Sequence, residues 1–314
     1  MARAIVYTEF GSPDVLHMIE IPDPVPAPGE VVVRIHAAGA NPIDAKLRGG
    51  KRPSASITEP RAVGFDGAGV IEALGDGVDG FMVGDRVAIR DTPGTYASAL
   101  VVKVENLAKL PDSVTAAEGA AIGIPAGTAY QALRSLHVTD GDVLLVHAGS
   151  GAVGQAAVQF AVAWGATVIA TASPARHEHL RELGAIPVAY GDGLHERLNE
   201  AAPSAITVAL DCAGTDEAIE TSLALVADRD RIATIVRGPD AAAFGIRAFS
   251  GGSPTPLTDE EVSWRAEALP QTIALLDSGD FVIDLGPQLP LTEAAHAHTL
   301  MESSSASGKI TLIP

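Results

Sequence analysis

Residues 142–160 read DVLLVHAGSGAVGQAAVQF. Val143 to His147 form a short apolar run of the kind that becomes a buried strand, and a turn of small residues then leads into a segment long enough for a helix. Within the turn, Gly149, Gly151 and Gly154 fit G-x-G-x-x-G, with Ser150, Ala152 and Val153 completing it. A second apolar run, ATVIATAS at 166–173, closes a strand–helix–strand unit around the motif. In that context the first glycine permits the tight bend, the second lets a pyrophosphate approach the backbone, and the third lets helix and strand pack closely. The helix start adds free N–H groups and the positive end of a dipole. The stretch therefore predicts a dinucleotide site.

The same residues contain a rival. AGSGA differs at each side from the G-x-S-x-G nucleophile elbow, which would make Ser150 a hydrolytic nucleophile. That reading leaves Gly154 unexplained and needs an acid and a histidine downstream, whereas in the dinucleotide reading Ser150 is a loop hydroxyl donating to a phosphate.

From residue 3 to about residue 112 the pattern is short and strand-like, with turn signals at PDPVPAPGE, LGDGVDGFMVGDRV and RDTPGTY. EVVVRIHAAG and DGAGVIEALG are its clearest strands. From TAAEGAAIGIPAGTAYQALRSL onward helices and strands alternate, as in a parallel doubly wound sheet. PARHEHLRELGA reads as a helix, further strands fall near residues 187, 206, 232 and 245–249, and a helix covers about 259–276. The tail after it reads strand, helix, strand and returns to the β-rich part. The fold class is thus α/β, with a β-rich domain at 1–122 completed by 285–314 and a nucleotide-binding domain at 123–284.

Composition narrows the function. Of 314 residues, 47% are hydrophobic and 19% charged, ample for two cores. The net charge of −18 opposes nucleic-acid binding. The densest basic stretch, AKLRGGKR, reads as the lining of a cleft or a solvated loop. No apolar run approaches a membrane span and MARAIVYTEF enters a strand pattern directly, so a cytoplasmic protein is expected. The single cysteine, Cys212, leaves no internal disulfide and no multi-cysteine zinc site. His177 and His179, like His296 and His298, are two apart, which splits each pair across a helix; solvated or capping roles are expected for them.

Longer segments carry a family resemblance: AAGANPIDAKLRGG, GFDGAGVIEALGDGVDGFMVGDRV, YASALVVKVENLAKLPDSVT, IPAGTAYQAL, the glycine segment itself, LDCAG and EAAHAHTLMESSSASGKITLIP. In order and over almost the full chain, these resemble the medium-chain dehydrogenase/reductase superfamily, and within it the zinc-free quinone oxidoreductases related to zeta-crystallin. The resemblance implies an N-terminal GroES-like β-domain, a Rossmann domain, a cleft between them and a homodimer. The zinc-dependent branch carries Gly-His-Glu where this chain has Gly64-Phe65-Asp66, and a cysteine where it has Asn41, so no metal site is expected.

The second strand ends without a carboxylate and runs into Ser173, Arg176 and His177. A carboxylate there would hold the ribose hydroxyls of NAD, whereas a hydroxyl and a guanidinium can hydrogen-bond a 2′-phosphate. NADP(H) is the expected cofactor, with Arg181 a lesser phosphate candidate. The resemblance puts Tyr190 near the adenosine phosphate, Thr128 near the pyrophosphate or nicotinamide ribose, and Lys309 near the pyrophosphate. Cys212, Ala213, Val236 and Arg237 would border the nicotinamide.

By the same resemblance Asn41 sits beside the nicotinamide and the acceptor oxygen and polarises it. Asp44 and Arg48 follow, either in the site or as an ion pair tying down the loop. NPIDAKLRGGKRPS contains no tyrosine to act as an acid, and Tyr96 is the substitute. The expected function is reduction of a quinone or an α,β-unsaturated carbonyl by hydride from NADPH (EC 1.6.5.- or 1.3.1.-). The alternatives are an enoyl-thioester reductase and a non-catalytic NADPH-binding sensor. Acceptor-contacting loops are expected at 46–60, 91–96 and 242–256, with AFSGGSPTPLTDEE as a lid or a plain turn.

Overall fold

The computed structural model describes every residue except Pro53, Ser250, Gly251, Gly252 and Pro254. The chain divides into two units, Met1–Ile124 with Leu269–Pro314, and Pro125–Ala268.

The first unit is built on strand Glu30–Gly39, which is buried on both faces over Val31–Val33 and alternates between buried and exposed positions from Val33 to Ala37, as a half-covered sheet requires. It pairs antiparallel with Asp66–Leu74, Ala99–Lys103 and Lys309–Ile313. Leu285–Pro290 extends the sheet beyond Lys309–Ile313, and Arg86–Ile89 and Leu107–Lys109 extend it on the other side. The tail returns here because Ile310 and Leu312 bury against Val33, Ile35 and Ile71. A separate three-stranded sheet joins His17–Ile21, Ala2–Tyr7 and Arg61–Ala62. Between Gly39 and the next strand lies the short helix Pro42–Arg48, started by Asn41 and by a proline whose missing N–H costs nothing at that position.

The second unit is a six-stranded parallel sheet in the order Ile186–Ala189, Thr167–Ala172, Val143–His147, Val208–Asp211, Ile232–Thr234, Arg247–Ala248. The first three strands in chain order run outward one way and the rest the other way, which is the doubly wound 3-2-1-4-5-6 arrangement. Every residue of Val143–His147 and Val208–Asp211 is buried, so these strands read as continuous apolar runs rather than alternating ones.

Two sequence expectations shift. PARHEHLRELGA is not one helix: Pro174–Arg176 is a 3₁₀ turn and the α-helix spans only His177–Glu182. The strand near 245–249 shrinks to Arg247–Ala248, since Gly245 takes a left-handed turn at φ 68° just before it. The lid expectation lies partly on 250–252 and 254, outside the described residues. Among the described residues no helix is long and apolar enough to cross a membrane.

Candidate active site

In the first unit, a buried polar cluster gathers around Asn41. Its backbone N–H donates to Asp44 Oδ2 at 2.8 Å, and its Nδ2 donates to Asp66 Oδ2 at 2.9 Å and to the Gly39 carbonyl at 3.2 Å. The Lys309 ammonium donates to Asn41 Oδ1. An ammonium on one side and a carboxylate on the other leave the amide only one orientation. Asp66 also accepts from the Ile124 N–H at 2.9 Å, and Gly123 makes room for it: a Cβ there would stand 2.3 Å from Asp66 Oδ1.

Asp44 accepts a second bond from the Tyr96 hydroxyl at 3.3 Å, and that hydroxyl lies 3.2 Å from His298 Nε2. The Tyr96 and His298 rings meet edge to face at 5.8 Å. Tyr96 fits because Gly64 sits beside its ring at φ 93°, where a Cβ would come within 2.4 Å of Tyr96 Cδ1.

Burial dominates the electrostatics. Desolvation lifts the Asp44 carboxyl from 3.8 to about 7, against the Asn41 N–H bond and with Asp66 adding to the rise. Asp66 rises to about 6 for the same first reason, opposed by Lys309. Desolvation lowers Lys309, while Asp66 and Asp44 pull it back up. His298 falls to about 3 through burial and then Arg48, and the Tyr96 hydroxyl is pushed well above its usual range. The cluster therefore contains a neutral histidine, a neutral phenol, a lysine whose ammonium burial disfavours, and two carboxyls whose protonation changes near neutrality.

Two expectations fail here. His298 is neither solvated nor a cap but fully buried on Tyr96, because its helix turns that position inward onto the sheet. Asp44 and Arg48 do not tie the loop together: the Arg48 guanidinium pairs with Glu302 at 2.7 Å instead, while Asp44 is held by Asn41 and Tyr96.

In the second unit, the sequence-selected residues fall at the carboxyl ends of parallel strands: 149–154 after Val143–His147, Ser173 after Thr167–Ala172, Tyr190 after Ile186–Ala189, 212–214 after Val208–Asp211, and 236–237 after Ile232–Thr234. That edge is where open parallel sheets take their ligands. The three glycines of the turn differ. A Cβ on Gly149 would stand 2.6 Å from Ala170 Cβ, and one on Gly154 would stand 2.4 Å from the Ala148 carbonyl oxygen, so both are demanded by internal packing. A Cβ on Gly151 would meet nothing closer than 3.4 Å, and its φ of −76° suits any residue. Gly151 is exposed and starts helix Ala152–Ala163 with no side-chain cap. Its bare backbone and the uncapped helix start, with Ala152 exposed and Val153 half-buried, fit the approach of a phosphate group.

Around this edge, Arg176 N donates to the Ser173 carbonyl at 2.9 Å and His177 Nε2 lies 3.2 Å from the Ala172 carbonyl. Arg181 pairs with Glu178 at 3.1 Å. Tyr190 is 59% exposed. Thr128 is buried and accepts from Arg265 at 3.2 Å. Arg237 is engaged by Asp216 and Asp240 and lies over the Phe244 ring. Desolvation, then Asp211, raises the Cys212 thiol, so it is held as a neutral thiol. His147, just before the turn, lies 3.2 Å from Ser222 Oγ and 3.4 Å from Thr171 Oγ1, and burial lowers it to about 4.

The alcohol dehydrogenase GroES-like domain family matches residues 27–112, and the zinc-binding dehydrogenase family matches residues 152–255. Quinone oxidoreductase from Homo sapiens is 32% identical, with all of this chain and 98% of the human protein covered. The chain belongs to the quinone oxidoreductase family of the medium-chain dehydrogenase/reductase superfamily. The Pseudomonas aeruginosa quinone oxidoreductase is likewise 32% identical over the whole of both chains. The structure of Escherichia coli quinone oxidoreductase complexed with NADPH superposes at a TM-score of 0.84, with 28% identity over 99% of this chain and all of that one.

Within this family frame, four residues with structural work at the site escaped the sequence reading. Asp66 and His298 complete the Asn41 cluster. In the second unit, Asp211 Oδ1 accepts from the N–H groups of Ala213 and Gly214 at 2.9 and 2.8 Å. Thr234 donates to Asp211 Oδ2 at 2.7 Å and accepts from the N–H groups of Val236 and Arg237. This pair shapes both strand ends that the sequence assigned to the nicotinamide. An acid closing a strand before a glycine, as in LDCAG, was the available signal.

Proposed function

We propose that this chain is an NADPH-dependent reductase of quinones, with α,β-unsaturated carbonyls as further acceptors. The observation that carries the reading is Gly151, a turn glycine that internal packing does not require, at an uncapped helix start on the carboxyl edge of a doubly wound sheet. Its membership of the quinone oxidoreductase family and the NADPH in the Escherichia coli relative support the choice of reaction and cofactor.

In this reading the backbone of residues 149–154 holds the pyrophosphate. Ser173 and Arg176, with His177 beside them, hold the 2′-phosphate, and Tyr190 covers the adenosine side. Thr128 contacts the nicotinamide ribose, and Cys212, Ala213, Val236 and Arg237 border the nicotinamide, whose reduced ring supplies a hydride when the cofactor is bound.

The first unit suggests a revised division of labour. Both Nδ2 hydrogens of Asn41 are engaged, by Asp66 and Gly39, so the amide has no spare donor for an acceptor oxygen. Asn41 therefore acts as a positioning residue that holds Lys309, and the ammonium supplies the positive field for charge developing on the acceptor. That role replaces a pyrophosphate contact for Lys309. Tyr96, buried and bonded to Asp44 and His298, likewise positions Asp44 rather than protonating the acceptor. Arg48 anchors the helix through Glu302. The Lys309 amine beside Asn41, coupled electrostatically to Asp66 and Asp44, also favours a zinc-free site, since it occupies the surroundings of the carboxyls a metal would use. The domain division at 122/123 and 284/285, a homodimer and a cytoplasmic location belong to the same reading.

The buried phenol of Tyr96 and the absence of tyrosine from NPIDAKLRGGKRPS favour, as a second reading, an NADPH sensor without turnover. An acceptor panel with a para-quinone, an ortho-quinone, an enone and an enoyl thioester separates the two. Quinone turnover with NADPH is expected; turnover of the thioester alone, or of nothing while NADPH binds, would overturn the proposal.

A further inference from the structure

Residues 46–61 contain five of the chain's 21 basic side chains and one acidic one, in a protein of net charge −18. One of the five, Arg48, is neutralised by Glu302, and Arg61 caps the Ala55 carbonyl at 2.5 Å and lies over the Phe10 ring. The other three, Lys46, Lys51 and Arg52, have no acidic partner within ion-pair distance among the described residues. The single acid, Glu59, is exposed and makes no such contact with them.

Lys51 is exposed, but the other two are not ordinary solvated cations. Lys46 and Arg52 are half-buried, and Arg52 Nε is buried with no hydrogen-bond partner. Burial first, then Arg52 and Lys51, lowers the Lys46 ammonium, so both neighbouring cations lie close enough to oppose its charge. The Lys51 N–H donates to the Lys46 carbonyl at 2.9 Å, which folds the loop back so that Lys51 stays beside the helix end. Unpaired cations crowded around Lys46, two of the three half-buried, are stabilised by an anion that none of the chain's own side chains supplies.

Their place in the fold says which anion. Lys46 lies on helix Pro42–Arg48, whose first residue follows Asn41, and a rise of 1.5 Å per residue puts it about 7.5 Å along from Asn41. That spacing suits two parts of one small molecule. We propose that Lys46, Lys51 and Arg52 form a subsite for an anionic substituent of the electron acceptor, a carboxylate, sulfonate or phosphate ester on the quinone or enone. The inference rests on the proposed reductase reading for the identity of the molecule, and on the cation cluster for its charge.

The test compares 1,4-naphthoquinone with 1,4-naphthoquinone-2-sulfonate in the wild type, in a Lys46→Gln/Arg52→Gln double variant and in Lys46→Arg. Intrinsic reactivity cancels in the ratio of kcat/KM values for the two quinones. A fall of about tenfold or more in that ratio in the double variant, carried by KM for the sulfonate and restored by Lys46→Arg, is expected. A ratio within twofold of wild type would overturn the proposal.

Calorimetric binding of the sulfonate to wild type and double variant keeps this separate from turnover. If neither quinone is reduced but the sulfonate binds wild type alone, the subsite stands and the reductase reading falls; if it binds neither protein, or both equally, the subsite falls. Inorganic sulfate that binds as tightly as the quinone sulfonate, or an equal loss of NADPH affinity in the double variant, would assign the cations to a free ion or to the cofactor and overturn the inference.

Discussion

The Gly151→Ala substitution separates binding from folding. Alanine at this position meets no atom closer than 3.4 Å and keeps an unstrained φ of −76°. As a helix N-cap it is poorer than glycine by a few tenths to about 1 kcal/mol. Restricting the unfolded chain offsets this by about 0.4–1 kcal/mol. The net change in stability is therefore close to zero, and Tm should stay within about 2 °C of wild type. If the exposed backbone at Gly151 receives a pyrophosphate, the same methyl intrudes on the ligand. Overpacking by one methyl costs about 1–3 kcal/mol, roughly five- to hundredfold in Kd. Gly154→Ala is the counterpart, because its Cβ would stand 2.4 Å from the Ala148 carbonyl oxygen and 2.7 Å from Gly149 Cα, both backbone atoms that cannot swing aside. That variant should melt several degrees lower. The assay is NADPH titration by nicotinamide fluorescence beside a thermal melt of each protein. A folded Gly151→Ala protein that binds NADPH within twofold of wild type, or one that melts as low as Gly154→Ala, would refute the reasoning.

Two further outcomes follow from the charge arrangement. Arg176→Ala should weaken NADPH binding by about ten- to hundredfold, the worth of a charge-assisted bond to the 2′-phosphate, and leave NADH binding within twofold; equal losses would remove Arg176 from that role. Asp44→Asn should change how stability depends on pH. The wild-type carboxyl titrates at about 7 folded and 3.8 unfolded, so the folded state binds the extra proton and this contribution is lost as pH rises from about 4 to 7. Asp66 acts in the same direction up to about 6, whereas His298 and His147, lowered to about 3 and 4, destabilise the fold as pH falls below 6.5. Asparagine keeps an oxygen to accept from the Asn41 N–H and Tyr96. Relative to wild type, the variant should gain stability between pH 4.5 and 7.5 in urea unfolding; a constant difference across that range contradicts the assignment.

The legible parts of the fold were those fixed by local pattern. Val143–His147 could be bounded to the residue because a fully buried parallel strand is a continuous apolar run stopped by a turn. PARHEHLRELGA looked helical throughout because its period is helical, yet Pro174 leaves only a 3₁₀ turn before His177. The site was legible where a motif occupies a few consecutive residues, as at 149–154. It was not where partners come from distant segments. Tyr96 and His298 meet across 202 positions, and nothing in EAAHAHTLME says which of two histidines turns inward. Asp66 could be noticed as the residue standing where a zinc-dependent relative carries glutamate, but its bond to Asn41 depends on two strands pairing Gly39 with Asp66. The Arg48–Glu302 pair is hidden for the same reason, and the nearer Asp44 was the wrong partner.

The most direct test of the account is the stoichiometry and cofactor preference of quinone reduction by the purified protein, with NADPH and NADH in parallel and 1,4-naphthoquinone as acceptor. One hydroquinone formed per NADPH consumed, with kcat/KM for NADPH at least tenfold above that for NADH, is the predicted result. NADPH bound but never oxidised, or NADH used as well as NADPH, would contradict it.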